Sequence, residues 1–296
     1  MSLKRILCLL ICLLTVLPAA YADELPAGVT PLPIDFTGGY PLQADGFLGD
    51  WEYQDPSIHV VISSGNYQDT LYWAADIQVA DASQIRTASA DGFDSNMTIR
   101  GETLAKRVNA VVAVDGDYFC YDPLGYTVRQ GRLYENYMRH TRDVLVIDDK
   151  GDMYCVREAD EADFGDDQTW NGHKIVNSFF FGPLLMEERL YRLYGYEYGI
   201  GPNNHSQRVC IGQIEPLHYM IIVTGPTARG SYGMTLEQFR TFVRTNFKEL
   251  QFAYNLDGGD SSMLIFNGVK VNDPENPDTR DIADIIYFAS AYQGAE

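Results

Sequence analysis

Cysteine is scarce in this chain, and the pattern of the few present argues against two common ways of stabilising a fold. The sequence has five cysteines in 296 residues, and two of them, Cys8 and Cys12, lie in an apolar N-terminal run. The other three, Cys120, Cys155 and Cys210, are an odd number, so at least one is expected to be unpaired or to pair between chains. No Cys-x-x-Cys or Cys/His spacing suggests zinc. The sequence therefore indicates neither a disulfide framework nor a structural zinc site.

Positive charge is also scarce. Lysine and arginine total 22 against 41 aspartate and glutamate residues, which gives a formal net charge of -19. Such a surface repels phosphate backbones, so we expect no nucleic-acid partner. The chain lacks repeats and long linkers, and its 46% hydrophobic and 21% charged content is ordinary for a globular protein. These features predict a single domain with a full core.

Long hydrophobic runs are absent apart from one at the N-terminus. Lys4 and Arg5 precede residues 6–17, which are almost entirely apolar but too short to span a bilayer comfortably. Residues 20–22, Ala-Tyr-Ala, fit a small-x-small cleavage site. The pattern predicts a signal peptide over residues 1–22, a secreted or extracytoplasmic protein, and no stable membrane span after cleavage. An uncleaved anchor is the alternative.

Proline and glycine are concentrated in residues 23–57, which we interpret as a lead segment on the surface or at a sheet edge. Residues 58–293 follow as short apolar runs separated by turn residues, which is typical of strands, and Ser-Gly-Asn at residues 64–66 predicts the first of these turns. One helix is predicted at residues 102–108, and the capping box of Thr235 and Gln238 predicts another. The sequence thus predicts an α+β fold, a single domain of mixed, mostly antiparallel β-sheets with a few packed helices.

The strongest candidate site follows an apolar run at residues 252–256, which is typical of a buried strand. Glycines accept positive φ and carry no Cβ, so they can turn backbone N–H groups toward a ligand, and serines add hydroxyl donors. A tight turn is the alternative, but the crowding of acids and serines beside two glycines favours an oxyanion held beside a carboxylate. The motif consists of Asp257, Gly258, Gly259, Asp260, Ser261 and Ser262.

A second apolar run, residues 110–114, also ends in acid and glycine, at Asp115, Gly116 and Asp117. Two buried strands that both end in aspartate would bring carboxylates face to face, although an unrelated Asp-Gly turn is the better interpretation of either run alone. Arg208 begins a further apolar strand, and a guanidinium grips phosphate through two parallel hydrogen bonds. A surface arginine in a salt bridge is an equally good interpretation without further context.

Five short motifs resemble, in order, those of the phosphodiester glycosidase family. This family is related to the mannose 6-phosphate uncovering enzyme, and its bacterial members are often labelled exopolysaccharide biosynthesis proteins. Residues 257–262 resemble the family's LDGGGSS. The others are residues 233–236, which resemble its GMTL, residues 207–212, which resemble PRTAIG, residues 181–185, which resemble FGPLL, and residues 115–119, which resemble NGDYF. The resemblance extends over roughly residues 71–289.

The chain departs from the family pattern at three places. Asp115 stands where asparagine is usual, and Asp260 stands where a third glycine is usual. Val209 and Cys210 stand where Thr-Ala is usual. The two extra carboxylates would repel a phosphate or bind a cation, so the departures bear on the substrate more than on the fold.

The resemblance implies a secreted hydrolase that cleaves the sugar–phosphate bond of a glycosyl-1-phosphodiester in a glycan or cell-surface polysaccharide. Glycoside hydrolysis commonly uses two carboxylates, and we assign catalysis to Asp257 and Asp117. No cofactor is expected for this chemistry. The expected substrate-binding residues are Arg208 for the phosphodiester charge, together with Asp115, Gly258, Gly259, Ser261 and Ser262.

Two other functions stay open at this point. In a metal-dependent phosphodiesterase, Ca²⁺ or Mg²⁺ would be bound by aspartates, with Asp260 as a metal ligand beside Asp115, Asp117 and Asp257. In a non-catalytic module, the protein would bind cell-surface polysaccharide through its acidic surface and through tyrosines at 191, 194, 196 and 198. Activity measured with and without a chelator separates all three functions.

Overall fold

The computed structural model describes residues 24–117, 119–120, 125–138, 142–165, 167–187, 201–225, 231–273 and 280–294. The signal peptide expected at residues 1–22 and the tyrosines between 191 and 198 lie outside the described residues. Within the described ranges, no helix combines the length and the apolar character that crossing a membrane requires.

The described fold is dominated by strands. In chain order they are β1 Phe47–Gly49, β2 Glu52–Asp55, β3 Ile58–Tyr67, β4 Thr70–Val79, β5 Ile85–Ser89, β6 Ala110–Asp115, β7 Gly125–Arg129, β8 Arg132–Tyr137, β9 Val144–Asp148, β10 Met153–Val156, β11 Thr169–Trp170, β12 His173–Phe179, β13 Leu184–Glu187, β14 Val209–Glu215, β15 His218–Thr224, β16 Phe252–Leu256, β17 Leu264–Phe266, β18 Val269–Lys270 and β19 Asp284–Ala289. The described residues contain two α-helices, α1 Gly101–Arg107 and α2 Leu236–Asn246. The predicted mixture of mostly antiparallel sheets with a few helices is confirmed, and within the described residues the fold is strongly β-dominated.

The strands form antiparallel sheets, as predicted. The largest has eight strands in the order β1-β2-β3-β4-β15-β14-β16-β13, and the next has five in the order β18-β17-β6-β19-β5. Two smaller sheets have the orders β10-β9-β12-β11 and β7-β8. Neighbouring strands run antiparallel in each sheet. Strands β6 and β16, which precede the two candidate motifs, therefore belong to different sheets.

The main core lies between the eight-stranded and five-stranded sheets. Alternation along β14 explains this: Val209 packs in the same cluster as Leu264 of the other sheet, whereas Cys210 faces the opposite side. On that opposite side, Cys210 packs with Ala253 of β16 and with Phe239 of α2. Strands β14 and β16 are thus covered on both faces.

Helix α2 begins at the predicted capping box. The Thr235 hydroxyl accepts a hydrogen bond from the backbone N–H of Gln238 at 3.2 Å, and the Gln238 side chain accepts one from the N–H of Thr235 at 2.9 Å. Each bond satisfies a donor that has no partner within the helix. The residues of α2 that become buried are Leu236, Phe239, Arg240, Phe242 and Val243.

The pattern Ser-Gly-Asn at residues 64–66 favours a turn, and that prediction is wrong. Strand β3 continues to Tyr67, and the chain reverses at Gln68 and Asp69, which both have positive φ. Gly65 meets a different requirement, because a Cβ at this position would lie 2.6 Å from the hydroxyl of Tyr72 on β4. The glycine therefore allows close packing between two strands.

The lead segment of residues 23–57 is bound to the fold in its described part. The guanidinium of Arg86, which is buried in β5, donates hydrogen bonds to the backbone carbonyls of Pro33, Asp35 and Thr37. Strands β1 and β2, from the end of the segment, pair at the edge of the eight-stranded sheet. One buried arginine thus binds three backbone carbonyls within a five-residue stretch of irregular chain.

Candidate functional site

Asp257 directly follows β16, which is buried along its whole length. Its Oδ1 accepts a hydrogen bond from the N–H of Gly258 at 2.8 Å, and its Oδ2 accepts one from Nη2 of Arg280 at 3.0 Å. The Ser261 hydroxyl bonds to the same carboxylate and accepts a hydrogen bond from Nε of Arg280 at 2.6 Å. Burial raises the pKa of Asp257, whereas Ser261 and Arg280 act to lower it. Asp257 is therefore an oriented, largely buried carboxyl group of the kind that transfers protons or attacks a substrate.

The two glycines after Asp257 bring the chain down onto the start of β14. A Cβ at Gly258 would lie 2.7 Å from the carbonyl oxygen of Gln207, and Gly259 has a φ of +59°. The N–H of Gly259 donates to that same Gln207 carbonyl at 3.0 Å. Close approach of two backbones is thus the physical reason for glycine here.

The expected oxyanion donors are occupied in this structure. The N–H of Gly258 bonds to Asp257, and that of Gly259 bonds to Gln207, as described above. The N–H groups of Ser261 and Ser262 donate to the carbonyls of Gly258 and Gly259, each at 3.2 Å. The hydroxyl of Ser262 is buried and has no partner among the described residues. The backbone of the motif therefore closes a tight turn and positions Asp257.

Asp115 ends β6 and is only 1% exposed. Its Oδ1 accepts a hydrogen bond from the N–H of Met263 at 3.0 Å, while its Oδ2 is buried without a partner in the described part of the chain. Burial holds the pKa of Asp115 well above its ordinary value, and the negative charge of Asp257 adds to this effect. The two carboxyl groups at the ends of β6 and β16 thus act on each other across the two sheets.

Asp115→Asn should raise the free energy of unfolding at pH 7. Because the pKa of Asp115 is raised by folding, the folded protein holds a proton that the unfolded chain releases above its pKa near 3.8. The stabilisation from this group is complete below that unfolded pKa and is lost as the pH rises toward the folded pKa. Asparagine keeps an oxygen for the N–H of Met263 and removes the titration.

Urea denaturation at pH 7 and at pH 4 checks this prediction. The stability gain of Asp115→Asn over the natural protein should be larger at pH 7 than at pH 4. Asp260→Asn is the matched control, because Asp260 is exposed and should show little gain at either pH. Equal free energies of unfolding for Asp115→Asn and the natural protein at pH 7 would contradict the predicted gain.

Asp117 is held in a buried ion-paired cluster. Nη2 of Arg129 lies 3.0 Å from Oδ1 of Asp117 and 3.2 Å from Oδ2 of Asp284, and the Arg129 side chain is fully buried. The carboxylate of Asp117 also accepts hydrogen bonds from the N–H groups of Phe119 and Phe180, each at 3.1 Å. These contacts occupy both oxygens of Asp117, so they favour a positioning role, and its assignment to catalysis stays a prediction.

Asp284, at the start of β19, connects Asp117 with Asp115. Its Oδ1 accepts a hydrogen bond from the N–H of Asp117 at 3.2 Å, and its negative charge contributes to the raised pKa of Asp115. Burial raises the pKa of Asp284 to about 7, against the opposing effect of Arg129. A Cβ at Gly116 would lie 2.2 Å from Oδ1 of Asp284, which explains the glycine between Asp115 and Asp117.

Arg208 immediately precedes β14, and its guanidinium donates hydrogen bonds to backbone carbonyls. Nε donates to the carbonyl of Met234 at 2.9 Å, and Nη2 donates to the carbonyls of Gly201 and Asn204 at 3.0 and 2.8 Å. Arg208 is 7% exposed, and burial lowers its pKa. Within the described residues it forms no ion pair with a carboxylate, so no carboxylate there neutralises its positive charge.

Asp260 lies in the short 3₁₀ turn after Asp257 and is exposed. Among the described residues, no group of three or more histidine, cysteine, aspartate or glutamate side chains could hold a metal ion. The aspartates at 115, 117, 257 and 260 therefore do not form one ligand set there. This arrangement weighs against Asp260 as a metal ligand, which stays an untested alternative.

The structure adds residues that the sequence patterns did not indicate. Arg280 comes from a polar stretch before the last strand, and no local pattern linked it to Asp257. Arg129 ends strand β7 of a hairpin and Asp284 begins the apolar strand β19, so the local pattern around each residue indicates a strand and no site. The only local sign of a site at Arg129 and Asp284 is that each is a charged residue beside an apolar run. The prediction that Asp117, Arg208 and Asp257 share one cleft stays a prediction.

Known structures share this fold. The catalytic domain of zebrafish N-acetylglucosamine-1-phosphodiester alpha-N-acetylglucosaminidase, auto-inhibited by its pro-peptide, matches with a TM-score of 0.64 and 16% identity over 85% of this chain and 86% of that chain. A hypothetical protein from Synechocystis matches with a TM-score of 0.51 and 14% identity over 78% of this chain and 62% of that one. A protein of Burkholderia pseudomallei K96243 matches with a TM-score of 0.51 and 12% identity over 74% of each chain. At these identities the likeness shows the fold alone. No curated protein sequence matches this chain.

The sequence profile of one family also matches. The family is described as phosphodiester glycosidase, and the match covers residues 108–289, which is more than half of the chain. The matched region includes Asp115, Asp117, Arg208, Asp257 and Arg280. The chain therefore belongs to the phosphodiester glycosidase family.

Proposed function

We propose that this protein is an extracytoplasmic hydrolase that cleaves the bond between the sugar and the phosphate of a glycosyl-1-phosphodiester. Family membership supports a glycosidase acting on a glycan-type substrate. The name of the zebrafish relative supports the finer class, since that enzyme acts on an N-acetylglucosamine-1-phosphodiester. The observation that carries the proposal is the Asp257 carboxylate, which Arg280 and Ser261 hold in place at the end of a buried strand.

In this proposal, Asp257 assists the attack on the anomeric carbon, as a base toward water or as the nucleophile. The bond from that carbon to the phosphate oxygen breaks, and a phosphate monoester leaves. Phosphate is already a weak base when it leaves, so strong protonation by a second acid is unnecessary and one carboxylate can dominate. Asp115 then acts through Asp257: burial raises the pKa of Asp115 well above its ordinary value, whereas Ser261 and Arg280 act to lower the pKa of Asp257, so Asp257 is the member of the pair that ionises more readily.

Two arginines would bind the phosphodiester charge. Arg280 is 41% exposed in its side chain, so it contacts solvent as well as Asp257 and Ser261. Arg208 adds a buried positive charge without a carboxylate partner among the described residues. A planar guanidinium suits a phosphate oxygen pair better than an ammonium does.

Arg280→Lys should lower kcat/KM for a glycosyl-1-phosphodiester by roughly tenfold or more. Lysine keeps the charge but cannot bridge Asp257 and Ser261 while it also contacts the substrate, and losing a charge-assisted hydrogen bond costs about 1.5–3 kcal/mol. Arg107→Lys is the control, because Arg107 is exposed at the end of α1. Steady-state kinetics give the comparison, and an Arg280→Lys protein as active as Arg107→Lys would remove Arg280 from the site.

The experiment that tests the proposed function is hydrolysis of a panel of sugar-1-phosphodiesters by the protein, with and without EDTA. Release of free sugar and a phosphate monoester, unaffected by EDTA, is the expected result. Loss of turnover with EDTA and its return with Ca²⁺ or Mg²⁺ would favour the metal-dependent phosphodiesterase instead. Saturable binding of polysaccharide without any turnover would favour the non-catalytic module.

The extracytoplasmic location rests on the sequence of residues 1–22 alone. Export followed by cleavage after Ala22 would leave Asp23 as the first residue of the mature chain. Mass spectrometry of the protein recovered outside the cytoplasm measures this directly. A chain that keeps residues 6–17 and stays with the membrane fraction would overturn this part of the proposal.

A further inference from the structure

A pocket with aromatic walls lies beside Asp117. The cavity measures about 260 Å³, and its ring side chains are Phe93, Phe119, Tyr134 and Phe180. The N–H groups of Phe119 and Phe180 are the same two that donate to the carboxylate of Asp117. The pocket is therefore built on the backbone that fixes the buried carboxylate cluster.

The aromatic walls are held in place before any ligand arrives. The ring of Phe93 lies 5.5 Å from that of Phe119 and 5.3 Å from that of Tyr134, centroid to centroid. The guanidinium of Arg129 lies 5.3 Å from the Phe93 ring and 5.7 Å from the Phe119 ring. Because Arg129 is itself fixed by two carboxylates, these rings have little freedom to collapse into the cavity.

A β-bulge directs two successive side chains of β8 toward the pocket. Thr127 of β7 pairs with Glu135, but Val128 pairs with Leu133, so Tyr134 is an extra residue on β8. In a regular strand, Tyr134 and Glu135 would point to opposite faces, yet both line the cavity. Bulges of this kind re-aim side chains next to functional sites.

The polar part of the lining offers both hydrogen-bond donors and acceptors. Asn96 supplies an amide, Thr127 and Tyr134 supply hydroxyls, and Asp94 and Glu135 supply carboxylates. Sugar hydroxyls donate and accept in the same way, and the C–H face of a sugar ring packs on aromatic rings. The two carboxylates disfavour an anion. They and the rings attract a cation, but a quaternary ammonium group would leave the amide and hydroxyl groups of the lining without hydrogen-bond partners.

We propose that this pocket binds one neutral monosaccharide unit of a glycan. Its volume lies just below the ~300 Å³ at which pockets for drug-sized ligands begin, which suits a single sugar ring rather than a longer chain. Binding itself is independent of hydrolysis, but use of the pocket to recognise the substrate rests on the proposed function. Two of its lining residues, Phe119 and Phe180, bind Asp117 through their N–H groups, so a sugar held there lies near the buried cluster of Asp117, Arg129 and Asp284.

Calorimetric titration with neutral monosaccharides tests the proposal, using glucose, galactose, mannose and N-acetylglucosamine, with glucuronate and choline as comparators. None of these is a phosphodiester, so the result does not depend on whether the protein hydrolyses one. We expect saturable binding of at least one neutral sugar, and Tyr134→Ala should weaken it at least about fivefold, the low end for losing one stacking aromatic. Tyr154→Ala is the matched control, since Tyr154 is also half-buried among aromatic rings, with Trp170 and His173.

The outcomes separate clearly. Loss of sugar affinity in Tyr134→Ala but not in Tyr154→Ala supports the proposal. Absence of neutral-sugar binding, or equal affinity in Tyr134→Ala and the natural protein, overturns it. Tighter binding of choline or glucuronate than of every neutral sugar also overturns it. If circular dichroism shows that Tyr134→Ala is unfolded, Glu135→Ala replaces it with the same expected loss, because Glu135 is exposed and its removal spares the core.

Discussion

A folded Asp257→Asn protein should hydrolyse a glycosyl-1-phosphodiester at least about 10²-fold more slowly than the natural protein, the low end for losing a positioned proton-transfer group. Asparagine is as large as aspartate and still offers an oxygen to the N–H of Gly258. It cannot ionise, and its amide cannot accept the hydrogen bond from Arg280 at the second position. Arg280 is partly exposed and can turn to water, so we expect the fold to survive.

The matched control is Asp260→Asn, three residues further along the same turn. Asp260 is exposed, so it should keep near-normal turnover if the site works without a metal ion. Circular dichroism confirms that each variant is folded, and steady-state turnover gives the comparison. Near-normal turnover of Asp257→Asn would remove Asp257 from the mechanism, and equal losses in both variants would favour a metal site that includes Asp260.

Arg129→Met should lower the free energy of unfolding by about 3–5 kcal/mol, the range for breaking a buried ion pair by removing one partner. Arg129 is fully buried between Asp117 and Asp284 and also donates to the carbonyl of Ser178. Methionine fills much of the same volume but leaves two buried carboxylates without a counter-charge. The midpoint and slope of urea denaturation at pH 7 give the size of the loss.

Arg132→Met serves as the control for that experiment. Arg132 lies three residues away, is 67% exposed, and its contact with Asp94 is 3.8 Å long between two exposed side chains. Its replacement should change the free energy of unfolding by no more than about 0.5 kcal/mol. Adding Asp117→Asn and Asp284→Asn to Arg129→Met should recover part of the loss, because the buried charges are then removed together. Similar losses for Arg129→Met and Arg132→Met would show that the cluster contributes no special stability.

Several parts of the fold followed from local patterns. The capping box of Thr235 and Gln238 set the start of α2, since both bonds lie within four residues. The apolar run at residues 252–256 predicts strand β16, and the acid and glycines after it predict where the strand ends, because strand periodicity and turn chemistry are local properties. The turn predicted at Gly65 failed because its glycine serves contact with Tyr72 on the next strand, which no local pattern contains.

By itself, the sequence determined which strands end in ionisable groups, the mostly antiparallel architecture, and membership of a family whose motifs are short and in order. Tertiary structure alone decided the partners of those groups. Arg280 binds Asp257, which lies 23 residues earlier in the chain. Arg129 binds both Asp117, 12 residues before it, and Asp284, 155 residues after it. The physical reason is that a pattern of alternation specifies which face a side chain takes, whereas the charge it meets depends on how separate sheets pack. Burial then raises the pKa of Asp115 and of Asp257, and burial exists only once both sheets are in place.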